Sequence, residues 1–275
     1  MRRIAGLGLA ALMVLGFAIP AAAGENSKHD PDNSTLFAVG QAPAGPNRAL
    51  LAIDLARGTT TVIGSALGTL APLSLALAIT PDGTAAYTIA NAFSPDLAQL
   101  AKIDLATGVQ ILVGDPIGDD LKIMGMTFAP SGVLYAAGDY DPRSETFNSL
   151  YMIDLSTGEP HRVGSLGAGP DPTDFIMSFA FDSHGNMYGA SPKALYRIDP
   201  TRTTNAATKV VGFLESPVRP SAVMGIAIGE DGSFYAADFR PTSTIYALDI
   251  KTGFLKPLFS SSIAFVHNIA FKPER

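Results

Sequence analysis

A nine-residue phrase recurs along this chain at a nearly fixed interval, and no other feature constrains the fold as strongly. It reads Leu-Tyr-Met-Ile-Asp-Leu-Ser-Thr-Gly at Leu150–Gly158. The other copies are Leu50–Gly58, Leu100–Gly108, Leu195–Thr203 and Ile245–Gly253. The aspartates Asp54, Asp104, Asp154, Asp199 and Asp249 give spacings of 50, 50, 45 and 50 residues. A period of this length means one supersecondary unit repeated, as in a propeller, a solenoid or an array.

The phrase itself reads as a strand and a turn. Leu150, Met152 and Leu155 alternate with Tyr151 and Ile153, the period of a strand packed on both faces. Asp154 ends the strand, and its carboxylate can accept N–H groups from the turn that follows. Gly158 supplies the positive φ of a short hairpin loop. A second strand follows and ends in Val-Gly at Val62-Ile63-Gly64, Val113-Gly114, Val163-Gly164 and Val211-Gly212. A residue that recurs in every unit solves a problem every unit has, so the five aspartates are read as structural.

Two further strands precede each phrase. The first contains Leu77-Ala78-Ile79, Met126-Thr127-Phe128, Phe179-Ala180-Phe181, Ile226-Ala227-Ile228 or Ile269-Ala270-Phe271, and most copies are followed by an Asp-Gly or Ser-Gly turn. The second contains Leu36-Phe37-Ala38, Ala86-Tyr87-Thr88, Leu134-Tyr135-Ala136, Met187-Tyr188-Gly189 or Phe234-Tyr235-Ala236. The pattern opens on a second-type strand and closes on a first-type strand. The expectation is an all-β, five-bladed β-propeller of four-stranded antiparallel blades. One blade is closed by the N-terminal strands pairing with the C-terminal strand, which removes open sheet edges.

The expected organisation is a signal peptide over 1–23, a flexible lead-in over 24–33 and one propeller domain over 34–275. Arg2 and Arg3, the apolar run Ile4–Ile19, and Pro20 with Ala21-Ala22-Ala23 have the order of a cleaved secretory signal. The chain is therefore expected in the periplasm or outside the cell. Loss of Arg2 and Arg3 leaves 17 basic against 25 acidic residues. That balance argues against nucleic acid as a partner. No segment has the length of a membrane span, and a monomer is expected. The chain has no cysteine, so disulfides contribute nothing to its stability.

The run Leu195-Tyr196-Arg197-Ile198-Asp199, the Asp-Gly turns and the Gly-x-Ala-x-x-x-Asp-Gly spacing of Gly225–Gly232 resemble repeats of secreted bacterial propellers. The similar groups are the NHL-like, YncE-like and SMP-30/gluconolactonase-like propellers. The resemblance covers Ser34–Arg275. For the gluconolactonase group it implies a divalent metal in the channel, held by Glu, Asn and Asp. Here no glutamate opens an innermost strand, where Leu75, Met124, Met177, Met224 and His267 stand.

In an up-and-down blade the turns after strands one and three share one face, and here they are short. The loops after strands two and four share the other face, and here they are long and varied. Binding residues collect on such loops. Comparing equivalent rungs, Gln41, Asn91, Asp139, Asp238, His267 and Asn268 depart from small or apolar neighbours and are expected near the long-loop mouth of the channel. As a site they would take a small polar ligand, a partner protein or a divalent metal such as calcium. As structure they would satisfy one another and a few waters. The Met124, Met177 and Met224 stripe reads as core filler. Asp115, Asp119, Asp120, Asp171 and Asp174 read as a solvated acidic rim. No nucleophile–base motif, phosphate loop or zinc motif is present. The favoured function is a non-enzymatic binding module. The alternative is a metal-dependent hydrolase or lyase, lactonase-like, at the channel mouth.

Overall fold

The computed structural model describes residues 35–273, except 46, 66–67, 95, 119–120, 168–173, 215–221 and 262. The expected signal peptide over 1–23 and lead-in over 24–33 lie outside the described residues. Twenty strands form five four-stranded antiparallel sheets. Blade I holds β1 (Leu36–Gln41), β2 (Arg48–Asp54) and β3 (Thr59–Ile63) together with the last strand, β20 (Asn268–Phe271). Blade II is β4 (Leu75–Ile79), β5 (Ala86–Ala90), β6 (Gln99–Ile103) and β7 (Gln110–Leu112). Blade III is β8 (Ile123–Phe128), β9 (Leu134–Gly138), β10 (Ser149–Ile153) and β11 (Pro160–Ser165). Blade IV is β12 (Ser178–Phe181), β13 (Met187–Ala190), β14 (Ala194–Ile198) and β15 (Ala207–Gly212). Blade V is β16 (Val223–Ile228), β17 (Phe234–Asp238), β18 (Thr244–Leu248) and β19 (Leu255–Ser260). No helix among the described residues is long and apolar enough to cross a membrane.

The innermost strands touch in cyclic order: β4 with β8, β8 with β12, β12 with β16, β16 with β20, and β20 with β4. The ring is thus closed, as the strand phase requires. The closing pair runs antiparallel and in register, from Leu36 opposite Phe271 to Val39 opposite Asn268.

Each blade buries both faces because it lies between two others. Phe37, Val39 and Leu50 of blade I pack with Leu77, Ile79 and Ile103 of blade II. Leu36, Ala38 and Leu51, on the opposite face, pack with Ala227, Ala237 and Ile245 of blade V. Three more clusters fill the II–III, III–IV and IV–V junctions. This explains the apolar residues on both parities of the strands.

The repeated turns join neighbouring blades. A side chain on Gly114 would collide with the Thr157 carbonyl, and one on Gly164 with that of Thr203. At Gly64, Gly114 and Gly164 the end of the fourth strand thus meets the aspartate turn of the following blade, where only glycine fits, whereas at the IV–V junction the tight residue is the turn glycine Gly253, against the Gly212 carbonyl. Blade V lacks the Val-Gly, and Phe259 lies against Gly58 instead.

The aspartates hold those turns. Asp154 Oδ1 accepts from the Ser156 amide at 2.7 Å, the Ser156 hydroxyl at 2.6 Å and the Thr157 amide at 3.2 Å. Asp104 takes the Ala106 and Thr107 amides, and Asp199 the Thr201 amide and hydroxyl. Hydrogen bonds from the turn hold Asp54, Asp104, Asp154, Asp199 and Asp249 below the usual carboxylate range.

Two outcomes follow. Deleting Ile269–Arg275 removes most of the closing strand, and at about 2–4 °C per kcal/mol for a domain of this size the Tm should fall by roughly 10 °C or more. A Tm within a degree or two of the full chain would contradict the closure. For the turns, a carboxylate with a depressed folded pKa contributes stability above its unfolded pKa, and that stability is lost as pH falls through the folded value. The Tm should therefore drop progressively below about pH 4. Replacing all five aspartates by asparagine should flatten that part of the Tm–pH curve.

Candidate functional site

Innermost strands enter from the long-loop face, so their first residues line that end of the axis. Asn268 and Ser178 are fully buried there. Their blades are not neighbours in the ring, yet the Ser178 hydroxyl reaches Asn268 Oδ1 at 3.2 Å. Ser178 Oγ also accepts from the Ile226 amide at 3.0 Å. Gly125 and Gly225 let the strands approach: a Cβ on Gly125 would lie 2.5 Å from the Met177 carbonyl oxygen, and one on Gly225 3.0 Å from the Ile269 nitrogen. Met124 and Met177 are buried in the II–III cluster, with Met224 packed against it. The methionine stripe is core at this layer.

The six polar residues expected at the mouth resolve into separate local networks. No hydrogen bond among the described residues links one of their side chains to another. Gln41 Nε2 donates to the Gly45 carbonyl at 2.9 Å and closes its own loop. Asn91 has φ 52° and opens the turn that the Ser94 amide closes on its carbonyl. Asp139, also left-handed at φ 61°, accepts from the Asp141 amide at 3.0 Å and the Thr146 hydroxyl at 2.8 Å. Its carboxylate shapes the β9–β10 loop.

Asp238 is fully buried. It accepts from the Thr244 amide at 2.7 Å, the Tyr246 hydroxyl at 2.9 Å and Arg240 Nε at 3.1 Å. Burial, and then the bond to Asp238, push the Tyr246 hydroxyl up to about 12. Blade IV repeats the device: the Tyr196 hydroxyl donates to Asp174 at 2.6 Å. Asp174 is therefore a buried acceptor, which corrects the reading of it as a solvated rim residue. Asp115 is exposed. Asp119, Asp120 and Asp171 lie outside the described residues. Among those described, no three His, Asp or Glu side chains form a metal-sized cluster.

His267 differs from the other five. It is 2% exposed, and neither ring nitrogen has a hydrogen-bond partner. Phe239 stands edge-on to its ring, at 6.1 Å and 83°. Burial, and secondarily the Arg48 charge, hold its pKa down to about 3, so the imidazole is neutral.

The opposite end of the axis is open. A cavity of about 490 Å³ is lined by the last residues of all five innermost strands. One small residue per blade is part of its lining: Ala78, Thr127, Ala180, Ala227 and Ala270. Ile79, Phe128, Phe181, Ile228 and Phe271 follow them, and Pro81, Pro130 and Pro273 stand at the rim. Charge is confined to Asp182, Glu230 and Lys272. The Asp182 carboxylate is occupied by Asn186, which donates through its amide and its Nδ2, both at 2.8 Å. The cavity opens among the short turns, so the loop-length argument for the long-loop face did not find it. The available signal was the run of small residues at one rung in all five blades.

No family model matches the chain, and no curated protein matches it. Among solved structures it is similar to TolB from Acinetobacter baumannii, at 15% identity and TM-score 0.55, over 88% of this chain and 67% of that one. A protein of unknown function from Bacteroides thetaiotaomicron gives 15% identity and TM-score 0.56, over 88% of this chain and 62% of its own length. A chain of the nidogen–laminin complex gives 11% identity and TM-score 0.52, over 87% and 98%. At these identities the likeness establishes the β-propeller fold.

Asp238→Ala tests the structural assignment of that carboxylate. It strands a buried tyrosine hydroxyl, a backbone amide and a guanidinium, so unfolding free energy should fall by about 3 kcal/mol. Chemical denaturation reads this directly. A loss under about 0.5 kcal/mol would contradict it.

Proposed function

We infer that this chain is an exported, non-enzymatic binding protein whose ligand occupies the axial cavity from the short-turn face. The cavity itself carries the reading. Its volume falls within the range of small-molecule sites, and its walls are apolar with a few polar groups at the rim. Alanine at four of five equivalent rungs keeps the lumen wide where larger side chains would fill it. The ligand class this favours is a compact, uncharged, apolar molecule. Export rests on the sequence of residues 1–23.

The lactonase-like alternative would need carboxylates free to hold a metal at the long-loop mouth. Asp139 and Asp238 are the two available from the sequence reading, and loop amides and hydroxyls already occupy both. This favours binding over hydrolysis.

Titration with the neutral fluorophore N-phenyl-1-naphthylamine tests the site. The wild type should give saturable, one-to-one fluorescence enhancement. Thr127→Phe, at a half-buried lining position outside the core clusters, should weaken it at least about ten-fold, equivalent to 1.4 kcal/mol, without loss of the folded state. A signal unchanged in Thr127→Phe and in Ala270→Leu would place the ligand elsewhere.

A further inference from the structure

Arg48 starts β2 on the long-loop side of blade I and is 5% exposed. Its Nη1 donates to the Phe265 carbonyl at 2.8 Å, the one hydrogen bond the guanidinium makes among the described residues. The ion pairs among those residues use Arg57, Arg143 and Arg240. Asp238, the carboxylate of the adjoining blade V loop, is filled by Thr244, Tyr246 and Arg240. Arg48 is thus a buried cation with no counter-charge among the described residues. Such a group is costly to bury alone. The equivalent rung holds Ala98, Asn148, Lys193 and Ser243 in the other blades, so the repeat does not require an arginine there.

The second group is His267. Its backbone amide donates to Val39 at 2.9 Å, and β1 pairs with β2 so that Gln41 stands opposite Arg48. The carbonyl that Arg48 grips lies two residues before His267. The guanidinium is close enough for its charge to act on the imidazole. Both ring nitrogens are buried and unpartnered. Of these two buried groups, the permanent cation has one neutral carbonyl as acceptor and no counter-charge among the described residues, and the imidazole has no acceptor for its N–H.

We propose that Arg48 and His267 hold a compact anion of carboxylate size. The guanidinium presents paired N–H groups that suit two oxygens of one planar acceptor, and the imidazole N–H adds a third donor. Phe239 and Phe265, whose rings meet at 5.0 Å, supply an apolar wall that favours a small monoanion over a bulky polyanion. This site is independent of the axial cavity, which opens at the other face.

The test is calorimetric titration of the dialysed full chain with sodium acetate, sodium chloride and sodium phosphate, at ionic strength fixed by a bulky sulfonate salt. Acetate should bind saturably and raise the Tm by a few degrees. Arg48→Ala and His267→Met should each weaken binding at least ten-fold. Methionine already stands at the His267 rung in blades III, IV and V, so that variant retains the packing. In the wild type, acetate should also shift the ¹⁵N resonances of the His267 ring. Saturable binding of acetate supports a carboxylate ligand, and binding of chloride alone supports an inorganic ion at the same pair. No saturable response to any of the three salts, or a response that survives in both variants, overturns the proposal.

Discussion

The antiparallel pairing of β1 with β20 is the contact on which the rest of this structure depends. Four blades are built from consecutive strands. Blade I exists only when the ends of the propeller meet, with Leu36 opposite Phe271 and Val39 opposite Asn268. Without that meeting, the faces of blades II and V that now pack on blade I would be left in water. Ring closure thus does in this cysteine-free chain what disulfides do elsewhere.

Closure also fixes what can lie on the axis. At the long-loop end, Gly125 and Gly225 bring the strands together, and the Ser178–Asn268 bond spans the axis. At the short-turn end the same strands carry Ala78, Thr127, Ala180, Ala227 and Ala270, and side chains this short cannot fill the lumen. One set of five strands therefore makes a plug at one end and a cavity at the other. The difference comes from which rung carries glycine and which carries alanine.

Most of the architecture was legible because the repeat is regular. Strand order, blade number and the closing blade came from the phase of the pattern, and the aspartate turns from their recurrence. The site was less legible for a physical reason. Asp139 and Asp238 broke the blade-to-blade pattern, but a carboxylate that caps its own loop has the same sequence signature as one awaiting a ligand. Only the positions of Thr146, Thr244 and Tyr246 distinguish them. The small residues were visible in the sequence, yet alanine within a strand suggests packing alone, and only the ring geometry sets Ala78, Thr127, Ala180, Ala227 and Ala270 around one cavity. His267 breaks the blade-to-blade pattern in the sequence, and in the structure both nitrogens of its ring, and Nδ2 of the neighbouring Asn268, are buried without a hydrogen-bond partner. Arg48 went unremarked because it sits at the boundary of a loop and a strand, where an arginine is ordinarily solvated.

The central claim is that the axis holds a cavity with largely apolar walls, open at its short-turn end. Apolar walls of this kind give xenon a site, whereas a collapsed axis does not. The direct measurement is a crystal structure of the chain under xenon pressure, examined for anomalous scattering. Xenon should be found among Ala78, Thr127, Ala180, Ala227 and Ala270. No xenon among those residues, or innermost strands packed tightly enough to leave no cavity, would contradict the account.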